Sequence, residues 1–65
     1  MIRVNGVEEP WKQGLTVQGY LEQNGYRTNR IAVERNGAIV PKSAYADTLL
    51  QDGDVLEVVN FVGGG

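Results

Sequence analysis

Sixty-five residues with a formal net charge of -2, no cysteine and no histidine form one small domain, with no interior room for an enzyme active site of the usual kind. The composition excludes disulfide scaffolds and thiolate metal sites, leaves zinc without its usual ligands, and lacks the clustered Lys and Arg of a nucleic-acid surface. No stretch approaches the roughly 18 apolar residues that span a bilayer. Met1-Ile2-Arg3-Val4 does not open a signal or transit peptide, so the expectation is a cytoplasmic protein, monomeric on its own, with no membrane or nucleic-acid partner.

Ile2 and Val4 alternate with Met1 and Arg3, and Asn5-Gly6 follows, a dipeptide that accepts the positive φ angles of a type I′ hairpin turn. Val7 to Trp11 should pair back as a second strand, at an edge or ending near Pro10, which cannot donate to a ladder. Thr16 is placed to cap a helix over about Val17 to Asn24, with Leu15 and Tyr20 at the two positions of a hydrophobic staple. Gly25 sits where a left-handed residue ends a helix, which sets Tyr26 against Leu21 in a Schellman arrangement. Val17, Tyr20 and Leu21, at i, i+3 and i+4, make the core face. Gly19 inside the helix costs about 1 kcal/mol relative to alanine, and implies either close packing on the sheet or simple tolerance.

Ile31 to Arg35 alternates as a half-buried strand, Asn36-Gly37 repeats the hairpin signal, and Ala38 to Val40 returns until Pro41 stops it. In Lys42 to Leu50 the expectation is a single turn capped by Ser43, with Tyr45, Leu49 and Leu50 tucked beneath the sheet. Asp52-Gly53-Asp54 reads as a tight turn, since it lacks the remaining ligands of a calcium loop. Trp11 and Tyr26 read as packing residues. Glu8 and Glu9, adjacent in a strand, point to opposite faces, which is wrong for a paired acid and base.

Val55 to Val62 is the last and most hydrophobic strand, apolar on both faces, and so belongs in the middle of a mixed sheet with the helix on one side. Leu56 and Val58 fall on one face; Val55, Glu57, Val59 and Phe61 fall on the other. The second set is an apolar patch of the kind that marks a partner-binding face, unless residues 42–50 fold over it. Arg3, Glu34 and Arg35 are expected at its rim. The element order describes an α+β protein with a β-grasp, ubiquitin-like fold: a mixed five-stranded sheet with one main helix packed on one face, over residues 1–62. Gly63, Gly64 and Gly65 then form a flexible tail, because glycines lose the most backbone entropy on ordering. Val62, Gly63 and Gly64 are slim enough to thread into a partner's channel, with the Gly65 carboxylate at the tip. The chain offers no phosphate loop, no metal site and no catalytic residue of its own.

Ile31-Ala32-Val33-Glu34-Arg35-Asn36-Gly37, Ile39-Val40-Pro41, Tyr45-Ala46-Asp47-Thr48, Asp52-Gly53-Asp54 and Phe61-Val62-Gly63-Gly64-Gly65 closely resemble the ThiS family of sulfur carriers in thiamine biosynthesis. The resemblance covers essentially the whole chain and is most specific in its second half, whereas Gly19 and Tyr20 depart from the more regular Ala/Leu-rich helix common in the family. It implies a protein cosubstrate rather than an enzyme. An E1-like, ThiF-like adenylyltransferase using ATP and Mg would adenylate Gly65, a sulfur donor enzyme would convert the adenylate to a thiocarboxylate, and a ThiG-like thiazole synthase would accept the sulfur. Two alternatives stand beside this one. The first is a carrier for another pathway: molybdopterin, as in the MoaD type, or methionine, cysteine or siderophore synthesis. The second is a ubiquitin-like binding module with an inert tail, whose surface should be more basic than this one.

Overall fold

The two Asn-Gly dipeptides turn the chain back on itself where the sequence marks them. In the computed structural model, which describes residues 1–61, Asn5 and Asn36 have φ of 50° and 52°, and Gly6 and Gly37 have 82° and 86°. These are the left-handed pairs that a type I′ turn needs. The first turn joins β1 (Ile2–Val4) to β2 (Val7–Glu9), and the second joins β3 (Ile31–Arg35) to β4 (Ala38–Val40), each as an antiparallel pair. β2 stops at Glu9 rather than running to Trp11, because Pro10 has no amide hydrogen to continue the ladder.

β5 (Val55–Asn60) occupies the centre, parallel to β1 on one side and antiparallel to β3 on the other, in the order β2-β1-β5-β3-β4. The sheet is therefore the mixed, five-stranded β-grasp sheet that the element order predicts. Val62, Gly63, Gly64 and Gly65, and with them the expected domain boundary and glycine tail, lie outside the described residues.

The helix α1 (Val17–Gln23) is closed at both ends by local chemistry. Thr16 Oγ1 accepts the Gly19 amide at 3.0 Å, which satisfies one of the first unpaired donors. At the other end Gly25 takes φ 74°, its amide donates to the Glu22 carbonyl at 3.2 Å, and the Tyr26 amide donates to that of Leu21 at 3.0 Å. Both bonds of a Schellman motif are present. The helix ends one residue earlier than expected because Asn24 is its cap, with its side chain donating to the Tyr20 carbonyl at 2.9 Å. Gly19 has a reason of its own: a Cβ there would sit 3.2 Å from Thr16 Oγ1 and 3.6 Å from Leu15 Cδ1. The crowding is against the cap, and not against the sheet.

Arg27 to Arg30, which has no sequence signal, contains a 3₁₀ turn over Thr28–Arg30. A second one covers Lys42–Ala44 after Pro41, and no side chain caps it. Ser43 lies inside that turn and so does not play the capping role expected of it. The stretch that follows runs along the start of α1: the amides of Val17 and Gln18 donate to the carbonyls of Thr48 and Tyr45 at 2.9 and 3.0 Å, and the Leu50 amide donates to that of Leu15 at 2.8 Å. Tyr45 and Leu50 are buried as expected, but Leu49 stays 51% exposed. It pairs with Thr16 in a single antiparallel bridge, and neighbours on extended backbone point opposite ways.

Between helix and sheet lies one core, in which Val17, Leu21, Ile2, Val33, Leu50 and Leu56 are the most deeply buried. Trp11 packs on its edge and donates its indole N–H to the Leu50 carbonyl at 2.8 Å. Each such buried chain contributes about 1.5–3 kcal/mol relative to exposure. No described helix is long and apolar enough to cross a membrane.

Candidate functional site: the open sheet face and the strand behind the tail

β5 alternates as its sequence demands: Leu56 and Val58 point into the core, while Val55, Val59 and Phe61 are 43%, 53% and 55% exposed, and Glu57 is exposed with them. α1 and the 42–50 stretch both pack on the opposite side, so that stretch does not cover this face. The register extends the face sideways. Ala32 stands opposite Val59, Glu34 opposite Glu57 and Arg3 opposite Val55. Ile39, 65% exposed, stands opposite Glu34. The sequence reading omits Ile39, although a two-residue turn at Asn36-Gly37 fixes its partner by counting outward.

The charges divide differently from the expectation. Arg3 belongs to this face and approaches Glu8 at 3.3 Å, both well exposed. Such a pair adds little to stability. Arg35 does not rim the face. Counting in twos from Ile31 and Val33 puts it on the core side, where its Nε donates to Asp54 Oδ2 at 2.8 Å.

Among the described residues Asp54 is the one buried charged side chain. The turn before it is as tight as expected, with the Asp54 amide donating to the Gln51 carbonyl at 3.0 Å and Gly53 at φ 92°. Its carboxylate gathers three donors: the Gln51 amide and Arg35 Nε on Oδ2, both at 2.8 Å, and Asn36 Nδ2 on Oδ1 at 3.0 Å. Burial pushes its pKa up, but the bonds from Gln51, Asn36 and Arg35, with the charge of Arg35, outweigh burial and hold it below the usual aspartate value. The sequence reading recognises this residue only as part of a turn. Its anchoring role depends on Arg35 and Asn36, which no local pattern links to it.

Both turn asparagines also grip the central strand. Asn36 accepts the Val55 amide on Oδ1 at 2.9 Å, and Asn5 brackets Val58, as donor to its carbonyl at 3.1 Å and acceptor from its amide at 2.8 Å. Further along, the Phe61 amide donates to the Arg30 carbonyl at 2.8 Å, so the ladder holds to the last described residue. The strand that leads into residues 62–65 is thus fixed from both flanks. Gly63, Gly64, Gly65 and Val62, expected to thread and to react, lie outside the described residues. On the helix side an open cleft of about 420 Å³ is lined by Glu9, Pro10, Trp11, Lys12, Leu15, Tyr20, Gln23 and Asn24. Among the described residues no three His, Cys, Asp or Glu side chains come together to hold a metal.

Comparison with known proteins agrees with this geometry. The model of the ThiS family matches residues 2–65. The sulfur carrier protein ThiS of Bacillus subtilis is 39% identical over the full length of both chains. A thiazole synthase of Paramagnetospirillum magneticum is 47% identical over 95% of this chain, which spans only 19% of that relative's length. The crystal structure of the thiamine biosynthesis protein ThiS from Geobacter metallireducens superposes with a TM-score of 0.80 at 31% identity, covering 98% of this chain and 97% of that one. Five strands in β-grasp order, a central strand leading into a glycine run, and likeness along the whole length converge: the chain belongs to the ThiS family.

Proposed function

We propose that the chain is the sulfur carrier for the thiazole moiety of thiamine. In this reading a ThiF-like, E1-like adenylyltransferase uses ATP and Mg to adenylate the Gly65 carboxylate. A sulfur donor enzyme turns the adenylate into a thiocarboxylate, and a ThiG-like thiazole synthase accepts the sulfur. The observation that carries the reading is the end-to-end likeness to the sulfur carrier of Bacillus subtilis. A thiazole synthase containing a segment like this chain supports that enzyme class as the acceptor.

The chemistry explains why such a carrier needs partners. A carboxylate resists attack because its charge repels nucleophiles and oxide leaves poorly. AMP on that oxygen removes both obstacles, so sulfur enters at the carbonyl carbon as AMP departs. Gly63 and Gly64 would give the tail reach and slimness, while Val55, Glu57, Val59 and Phe61 dock the body of the carrier. Pyrophosphate exchange tests the first step. With the adenylyltransferase, ATP and Mg, exchange should depend on the carrier and vanish when Gly65 is deleted; exchange that persists without Gly65 refutes the assignment.

A further inference from the structure

We infer that the open sheet face takes a basic side chain, an arginine of the activating enzyme, between Glu34 and Glu57. This rests on the reading of that face as the docking surface. The two glutamates stand directly opposite each other on the central pair of strands. Residues so placed have Cβ atoms about 4.5–5.5 Å apart, and like charges there repel. Neither is relieved within the described residues, where the ion pairs are Met1 with Asp52, Arg3 with Glu8 and Arg35 with Asp54. The cation nearest in register, Arg3, reaches Glu8 rather than either of them.

Around the pair the surface is apolar. Val55 and Val59 flank Glu57 along β5, Ala32 precedes Glu34 by two on β3, and Ile39 faces Glu34 from β4. A partner that covers Val55 and Val59 must also cover the carboxylates between them. Covering them with neutral surface would strand two charges away from water, and that penalty exceeds what apolar contact returns. A cation removes the penalty and the mutual repulsion together. Guanidinium fits best, since its planar fork donates to two carboxylates at once. The face thus selects an apolar patch with an arginine at its middle.

The test is direct binding of the adenylyltransferase to the carrier, followed by calorimetry over a range of salt concentrations, with pyrophosphate exchange run in parallel. Glu34→Gln and Glu57→Gln should each weaken binding about tenfold or more and flatten its salt dependence. Both should also raise the unfolding midpoint slightly, because the repulsion is gone, so weaker binding cannot be ascribed to a damaged fold. Glu22→Gln removes the same charge from the exposed side of α1 and should bind like the wild type. Unchanged affinity and salt slope in both face variants would overturn the inference, even with exchange intact. Weakened binding in those variants upholds it, even if the wild-type carrier proves inactive in exchange. Absence of any binding by the wild-type carrier overturns the inference and the docking reading together.

Discussion

Asn5 holds Val58 by both its backbone groups, with Nδ2 donating to the carbonyl at 3.1 Å and Oδ1 accepting from the amide at 2.8 Å. The main chain of β1 has by then turned away at φ 50°, so a side-chain amide continues the parallel ladder in place of the next peptide. Without it Val58, itself buried, would have a bare donor and acceptor. Leaving such groups unpaired costs about 1–3 kcal/mol.

Asn5→Ala should accordingly lower stability by about 2 kcal/mol, read from the urea midpoint. Asn5→Gly separates the two causes, since glycine accepts the positive φ but cannot make the bonds. We expect the Asn5→Gly variant to keep most of the loss. Full recovery there would assign the role of Asn5 to backbone conformation alone.

The Asp54 cluster makes stability depend on pH. Its folded pKa is lowered, so the ionised carboxylate stabilises the fold fully above the unfolded aspartate value of about 3.9. That contribution is lost as pH falls through the folded value. Asp54→Ala should cost about 3 kcal/mol at neutral pH and flatten the acid limb of the stability profile. An unaltered acid limb in chemical denaturation would contradict the assignment.

Gly19→Ala sets helix propensity against cap geometry. Alanine gains up to about 1 kcal/mol in a helix interior, but its Cβ would press on Thr16 Oγ1 from 3.2 Å. The net gain in thermal unfolding should be well under that figure. In a Thr16→Ala background, which removes the obstructing hydroxyl, the full gain should appear.

The elements readable in advance were those whose cause is local. Asn-Gly fixes a turn, Gly25 ends a helix, and the alternation from Val55 onward assigns two faces, each without reference to distant chain. Leu49 takes its place from partners remote in sequence, whereas Ser43 sits inside a local turn that follows Pro41 and Arg35 keeps the alternation of Ile31 and Val33 onto the core side. Residues 45–50 follow the start of α1, about thirty positions earlier. Arg35 turns inward to a carboxylate that becomes buried only when β5 docks. Of the candidate face, β5 itself is legible and Ile39 follows by counting outward from the local turn at Asn36-Gly37, whereas the opposition of Glu34 to Glu57 rests on the register of β3 against β5, which no local pattern sets.

The open face and the tail should fail separately. Val59→Ala removes apolar surface from an exposed position, so it should leave the unfolding free energy within about 0.5 kcal/mol of wild type while weakening adenylyltransferase binding. Gly64→Val should do the reverse, with docking retained and pyrophosphate exchange abolished. Normal exchange by the Gly64→Val carrier would argue against a narrow channel.

Intact mass spectrometry of the carrier after incubation with the adenylyltransferase, ATP, Mg and a sulfide source bears most directly on sulfur transfer. The account predicts a gain equal to the difference between a sulfur and an oxygen atom, confined to the C-terminal peptide and absent when ATP is withheld. A mass that stays the same while the enzyme hydrolyses ATP, or a gain located elsewhere in the chain, would contradict it.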